Sequence, residues 1–154
     1  MKTEWQILEQ LKEVIGTQLN DYLNADEENY ELLEKINKDN IEIDFPDVDN
    51  FKKSTMIWIE PLTEDIEDLT TSSDSAQMQI SIYILCKKNK SEILIRKVFG
   101  YFTALFALLK DNQTLDEFVD FIKISTMEFY PAVTADRSIS GIEVTAQILY
   151  EKPY

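Results

Sequence analysis

Apolar residues recur along this chain with two periods, and the changes of period mark its elements. Residues 3–24 carry Leu8, Leu11, Ile15, Leu19 and Tyr22 at three- and four-residue steps, with Glu9, Lys12 and Glu13 on the other side. That spacing predicts an amphipathic helix. Gly16 sits in its middle, at a cost of about 1 kcal/mol against alanine, as a close contact or a tolerated weak spot. Residues 76–88 alternate instead. Met78, Ile80, Ile82, Ile84 and Cys86 point one way, and Gln77, Gln79, Ser81, Tyr83 and Lys87 the other. This predicts a strand in a sheet with one dry and one wetter face. Residues 91–110 return to the helical period with two adjacent stripes, one through Leu94, Val98, Tyr101, Leu105 and Leu108, the other through Ile95, Phe99, Phe102, Phe106 and Leu109. Two stripes make a wider apolar face than a surface helix needs.

The remaining segments are shorter or less regular. Residues 56–60 predict a short strand stopped by Pro61, and 62–75 an exposed acidic loop. Thr114 and Glu117 have capping-box spacing and predict a single helical turn. Strands are expected at 121–130, ended by Pro131, and at 142–151, with Ile142, Val144, Ala146, Ile148 and Tyr150 inward. Residues 27–38 carry a weak helical pattern through Tyr30, Leu33 and Ile36. Turn formers at Asp44, Pro46, Asp47, Asp49 and Asn50 follow, so 26–54 reads as a mostly irregular crossover along the surface. The expected fold is α+β: an antiparallel-rich four-stranded sheet with a long N-terminal helix and a central helix packed on one face. Residues 1–154 hold no internal repeat and no Gly/Ser linker, so a single domain is expected.

Charge changes this picture more than composition does. Residues 26–74 contain 16 Asp/Glu and four Lys, so this segment alone carries −12 of the net −14. A surface of that kind repels polyphosphate and favours basic partners. There is no histidine, which removes the commonest general base and metal ligand. One cysteine, Cys86, excludes an internal disulfide and a cysteine zinc site, and its inward strand position reads as core. The three glycines, Gly16, Gly100 and Gly141, are isolated, so no phosphate-cradling loop is spelled out. Neither acidic cluster, Asp44/Asp47/Asp49 or Glu64/Asp65/Glu67/Asp68, has the glycine and terminal glutamate of a calcium loop. These acids lie in polar stretches, which gives no reason for the raised pKa that a paired-carboxylate hydrolase needs. The reading is therefore no catalytic residue, no metal and no cofactor. The uncharged run at residues 98–109, which no other run exceeds, is too short for a bilayer span of about 20 residues. Residues 1–5 lack the pattern of a secretory signal.

Lys87, Lys88, Lys90, Arg96 and Lys97 form the one basic cluster, suited to an acidic patch on the same chain or on a neighbour. Phe99, Tyr101, Phe102 and Phe106 read as core. Part of that face, or Trp58 and Tyr83 on the sheet, is the candidate for packing on another subunit.

A central helix leads to a strand ending in Phe129-Tyr130-Pro131, then to the loop 132–141 and the strand 142–150. This arrangement resembles the tail-terminator (tail-completion, neck) proteins of tailed bacteriophages and prophages, over residues 1–24 and 55–152. The resemblance implies a non-catalytic structural protein of virion assembly. It would form a homo-oligomeric ring, typically a hexamer, that caps the tail tube and meets the head connector. DNA would pass as cargo without being bound, no membrane would be involved, and the protein would go from host cytoplasm to the virion tail or neck. On that view Glu64, Asp65, Glu67, Asp68 and Asp74 face the lumen or a partner, and Lys87, Lys88, Lys90, Arg96 and Lys97 form the subunit contact. The alternative is an acidic binding module, an inhibitor or immunity-like protein that neutralises a basic partner by charge.

Overall fold

The computed structural model describes residues 3–68 and 73–153. Helix α1 spans Glu4–Gln18 and opens on a capping box: Thr3 Oγ1 accepts Gln6 N–H (3.2 Å), and Thr3 N–H donates to Gln6 Oε1 (3.0 Å). Ile7, Leu8, Leu11, Val14 and Ile15 form its buried face. The chain then tightens into a 3₁₀ turn at Leu19–Ala25, so the expected helix over 3–24 is α-helical only to Gln18. Asn20 accounts for the change. Its amide donates to Ile36 C=O and its oxygen accepts Ile36 N–H, both at 2.7 Å, and this ties the turn to the crossover.

The crossover is less irregular and less superficial than expected. The pattern at 27–38 yields only a 3₁₀ turn, Tyr30–Leu32, and a second turn at Lys38–Asn40 leads into β1, Ile41–Glu42. Ile36 and Ile41 are buried in the main core. Two glycines let the crossover approach the helices. A Cβ on Gly16 would lie 2.7 Å from Lys38 Cγ, and one on Gly100 would lie 2.9 Å from Leu33 Cδ2.

Four longer strands complete the sheet, β2 (Thr55–Asp68), β3 (Ser73–Lys87), β4 (Phe121–Tyr130) and β5 (Ile139–Pro153), with helix α2 (Ser91–Asp111) between β3 and β4. Strand order is β1-β2-β3-β5-β4. The sheet therefore has five strands rather than four. It is mixed, because β1 runs parallel to β2 while every other pair is antiparallel. The fold is α+β, as expected. Both helices bury their apolar faces in one cluster with Ile80, Ile82, Val144 and Ile148, the dry side of the central strands. Cys86 lies in that core, and burial pushes its thiol up to about 11.

Two local expectations are overturned. Residues 62–68 and 73–75 are strand, so the acidic loop expected at 62–75 is the far half of a β2–β3 hairpin; residues 69–72 lie outside the described residues. Pro61 fails to stop β2 because β1 covers only Ile57 and Trp58, leaving Pro61 on an edge with no ladder bond to donate. The register slips there, between Pro61 and Thr63. At 112–118, Thr114 Oγ1 does accept Glu117 N–H (3.1 Å), but Leu115, Asp116 and Glu117 have φ of 50°, 60° and 66°. The turn is left-handed, at a cost of about 1–2 kcal/mol per residue. Leu115 is fully buried there, its carbonyl accepts Gln10 Nε2, and Asn112 Oδ1 accepts Asp116 N–H.

Candidate interaction surface

The basic cluster is held within the chain by the crossover. Lys87 Nζ donates to Phe51 C=O and lies 4.1 Å from the Phe51 ring centroid; Lys88 Nζ donates to Lys52 C=O. Arg96 reaches Asn29 Oδ1 (2.9 Å) and Glu28 C=O (3.2 Å). Lys97, with a side chain only 3% exposed, pairs with Glu34 at 3.0 Å. Hydrogen bonds from Ser54 and then Lys97 hold the Glu34 carboxyl below the usual range. Tyr101 adds a clamp, donating to Glu34 C=O (2.8 Å) and accepting Glu34 N–H (2.9 Å). Lys90 is exposed at the start of α2.

The hairpin acids divide by face. Directly opposed antiparallel residues share a side of the sheet, so Glu64, Ile66 and Asp68 lie with Met78, Ala76 and Asp74 on the helix side. Glu64 accepts from the Tyr150 hydroxyl and from Lys152 Nζ (3.2 Å), and Lys152 also pairs with Glu4 at the start of α1. The Lys152 hydrogen bond pulls the Glu4 carboxyl down to about 2, and the same bond raises the Lys152 ammonium. Burial, then the Glu64 hydrogen bond, raises Tyr150. Asp65 and Glu67 lie on the opposite side, opposed to Gln77 and Ser75. Both are exposed, as is Asp68; Asp74 is half-buried.

The side without helices is dry at one end and carries acids beyond it. Phe51, Met56, Trp58, Leu85 and Ile139 form a small cluster where the crossover folds back over it. Beyond this, Glu143 accepts from Ser81 Oγ (2.6 Å), Tyr83 Oη (3.3 Å) and Tyr130 Oη (3.3 Å). Burial, then a hydrogen bond to Glu60, raises Tyr83; a hydrogen bond to Glu128 is the main cause that pushes Tyr130 up to about 12. Glu60, Glu128 and Glu143 were not among the residues singled out from the sequence. Their signal was present, since Glu143 stands between inward Ile142 and Val144, but an outward acid on a strand reads as an ordinary solvated position. No group of three or more His, Cys, Asp or Glu among the described residues converges as a metal-ligand set. No described helix is long and apolar enough to cross a membrane.

Each flank of the sheet carries exposed apolar side chains. Leu62 and Ile66 are 44% and 51% exposed on β2. On the other flank, Phe99 and Phe106 are each 40% exposed on α2, and Phe99 stacks on Phe129 of β4 (4.6 Å between centroids). A groove of about 360 Å³ runs between α2 and β4, lined by Phe106, Leu109, Lys110, Phe121 and Ile124 among others.

No family model matches this sequence, and no curated protein matches it. Among solved structures, the chain is similar to one described as "Virion of native gene transfer agent (GTA) particle", at 12% identity and a TM-score of 0.43, over 86% of this chain and 91% of that one.

Proposed function

We propose that this chain is a non-catalytic structural component of a phage-type tail, a tail-terminator or neck protein that assembles as a ring. The observation that carries the reading is the pair of non-equivalent flanks. One sheet edge offers Leu62 and Ile66, and the opposite edge offers Phe106 beside β4. Different patches on opposite sides of one subunit make a heterologous contact, which closes into a ring when the rotation permits. An N-terminal helix followed by sheet strands on both sides of a central helix supports the same reading, being the arrangement expected of the resemblance. In such a ring the acidic side of the sheet, with Glu60, Glu128 and Glu143, suits a lumen through which DNA slides, because carboxylates repel phosphate. Tail-tube and head-connector proteins are then the partners on the two rims.

Light scattering on the full chain over a range of concentration and salt, followed by electron microscopy, tests this. The expected result is a discrete species several times the 18.0 kDa subunit mass, seen as an annulus. A subunit that stays monomeric at every concentration would overturn the ring.

A further inference from the structure

The geometry points to a specific contact between copies: residues 59–68 of β2 in one subunit dock into the groove between β4 and the C-terminal half of α2 in the next. This deepens the ring reading and rests on it.

Four observations carry the contact. First, neither edge is covered by a strand at the same height, although Gln113 C=O takes Ile122 N–H on the outer side of β4. β1 covers β2 only at Ile57 and Trp58, and no described strand flanks the outer side of β4. Register places Asp65, Gln77, Leu149 and Phe121 in one row across the sheet, and Thr63, Gln79, Gln147 and Lys123 in another. The open half of β2 is thus level with the half of β4 that lines the groove, and a neighbour needs little shift along the strands. Second, directions agree. Strands alternate in sense from β2 through β3 and β5 to β4, so the β2 of a following copy meets β4 antiparallel.

Third, the sides match in chemistry. Ile66 is on the helix side of β2, and the groove opens on the helix side of β4, where Phe106 and Ile124 wait. Asp65 and Glu67 are on the other side of β2, and Lys123, in register with that side on β4, also lines the rim of the groove. Lys110 adds a second cation, its Nζ 5.4 Å from the Phe106 ring centroid. The acidic edge of one copy meets the basic rim of the next.

Fourth, both edges are interrupted in the same place. The slips at Pro61/Thr63 and Ile124/Thr126 flank the row of Pro61, Ile80, Ala146 and Ile124. Ile122 N–H is already taken by Gln113 C=O (2.7 Å). Bulges and proline discourage an endless backbone ladder between edges, so the contact is made by side chains in a groove and keeps a fixed register. Asp65 and Glu67 move in this way from a lumen wall to a subunit contact.

The test is carbodiimide cross-linking of the full-length protein with peptide mass mapping, alongside light scattering. Within one chain Lys123 and Asp65 are three strand spacings apart, about 14 Å, beyond a zero-length link. A Lys123–Asp65 or Lys123–Glu67 bond therefore reports two copies. The expected results are that bond in the oligomer, self-association roughly tenfold weaker in Lys123→Glu, and recovery in Asp65→Lys/Lys123→Glu. Far-UV circular dichroism checks that each variant is folded. An oligomer linked elsewhere and indifferent to Lys123→Glu would overturn this contact and leave the ring reading intact. A strict monomer would overturn both.

Discussion

Asn20→Ala removes the one side chain that holds the crossover by both backbone groups of a buried residue. Ile36 is 1% exposed, and its N–H and C=O each bond to the Asn20 amide at 2.7 Å. Alanine leaves both groups without partners. An unsatisfied buried backbone group costs about 1–3 kcal/mol. Asn20 is itself half-buried, so water reaches part of the vacated space and the sum falls at about 2–4 kcal/mol. For a domain of this size each kcal/mol lowers Tm by roughly 2–4 °C, so a drop of about 5–15 °C is expected. Urea unfolding followed by tryptophan fluorescence measures the cost directly. It reads the right place, because Trp58 is buried on β2 where β1 joins it. Asn20→Asp separates the two bonds: it keeps an acceptor for Ile36 N–H but sets a carboxylate against Ile36 C=O, and it should destabilise as well. A loss under about 0.5 kcal/mol in Asn20→Ala would refute the reasoning and leave Tyr101 and Lys97 as the clamps that hold the crossover.

Two further outcomes follow from the same structure. Gly141→Ala should destabilise by about 1–3 kcal/mol in urea unfolding, because the new methyl would lie 2.1 Å from Leu85 Cδ2 and 3.1 Å from the Ile84 carbonyl oxygen; an unchanged midpoint would mean that β3 and β5 are not packed in this register. Glu4 has its carboxyl depressed from 4.5 to about 2, so its contribution is complete above about pH 4.5 and is lost as pH falls towards 2. Wild type should therefore lose more Tm than Glu4→Gln over that window, modestly because the pair is solvent-screened, and parallel curves would dismiss the Lys152 contact.

What the sequence showed and what it hid divide along a physical line. Where one side of an element is dry, the period survives: α2, β4 and the alternation of 76–87 were all read close to their observed bounds. Where both sides meet water, composition stands in for structure and misleads. The far half of the hairpin carries acids on both sides, so its strand period was invisible and it read as a loop. The short β1 failed for another reason. Two residues have no period, and Ile41–Glu42 is placed by tertiary partners: Asn40 Nδ2 donates to Thr55 C=O (3.0 Å), and Asn37 and Asn40 cap each other. The left-handed turn at Leu115–Glu117 shares its capping spacing with an ordinary helical start, and only the burial of Leu115 tells the two apart. For the surface, the residue types were right and their grouping was incomplete. The hairpin acids were named, but Glu60, Glu128 and Glu143 converge only through strand order.

Strand order also divides the acidic segment in two. Its two halves behave differently. In the crossover half the cations mostly meet backbone: Lys87, Lys88 and Arg96 donate to the carbonyls of Phe51, Lys52 and Glu28, and only Lys97 reaches a carboxylate, that of Glu34, so these cations hold the crossover against the helix and sheet. The hairpin half meets Lys152 at Glu64, while Asp65 and Glu67 stand exposed on the side away from it. A mutation in the basic cluster should therefore act first on stability. Exposed charge lies along the crossover at Glu27, Glu31, Glu42, Asp44, Asp47 and Asp49 as well as in the hairpin and on the open side of the sheet. The bonded cations therefore tie the chain to itself, which weighs against the subunit contact expected of them, and the contact proposed above falls on the hairpin instead.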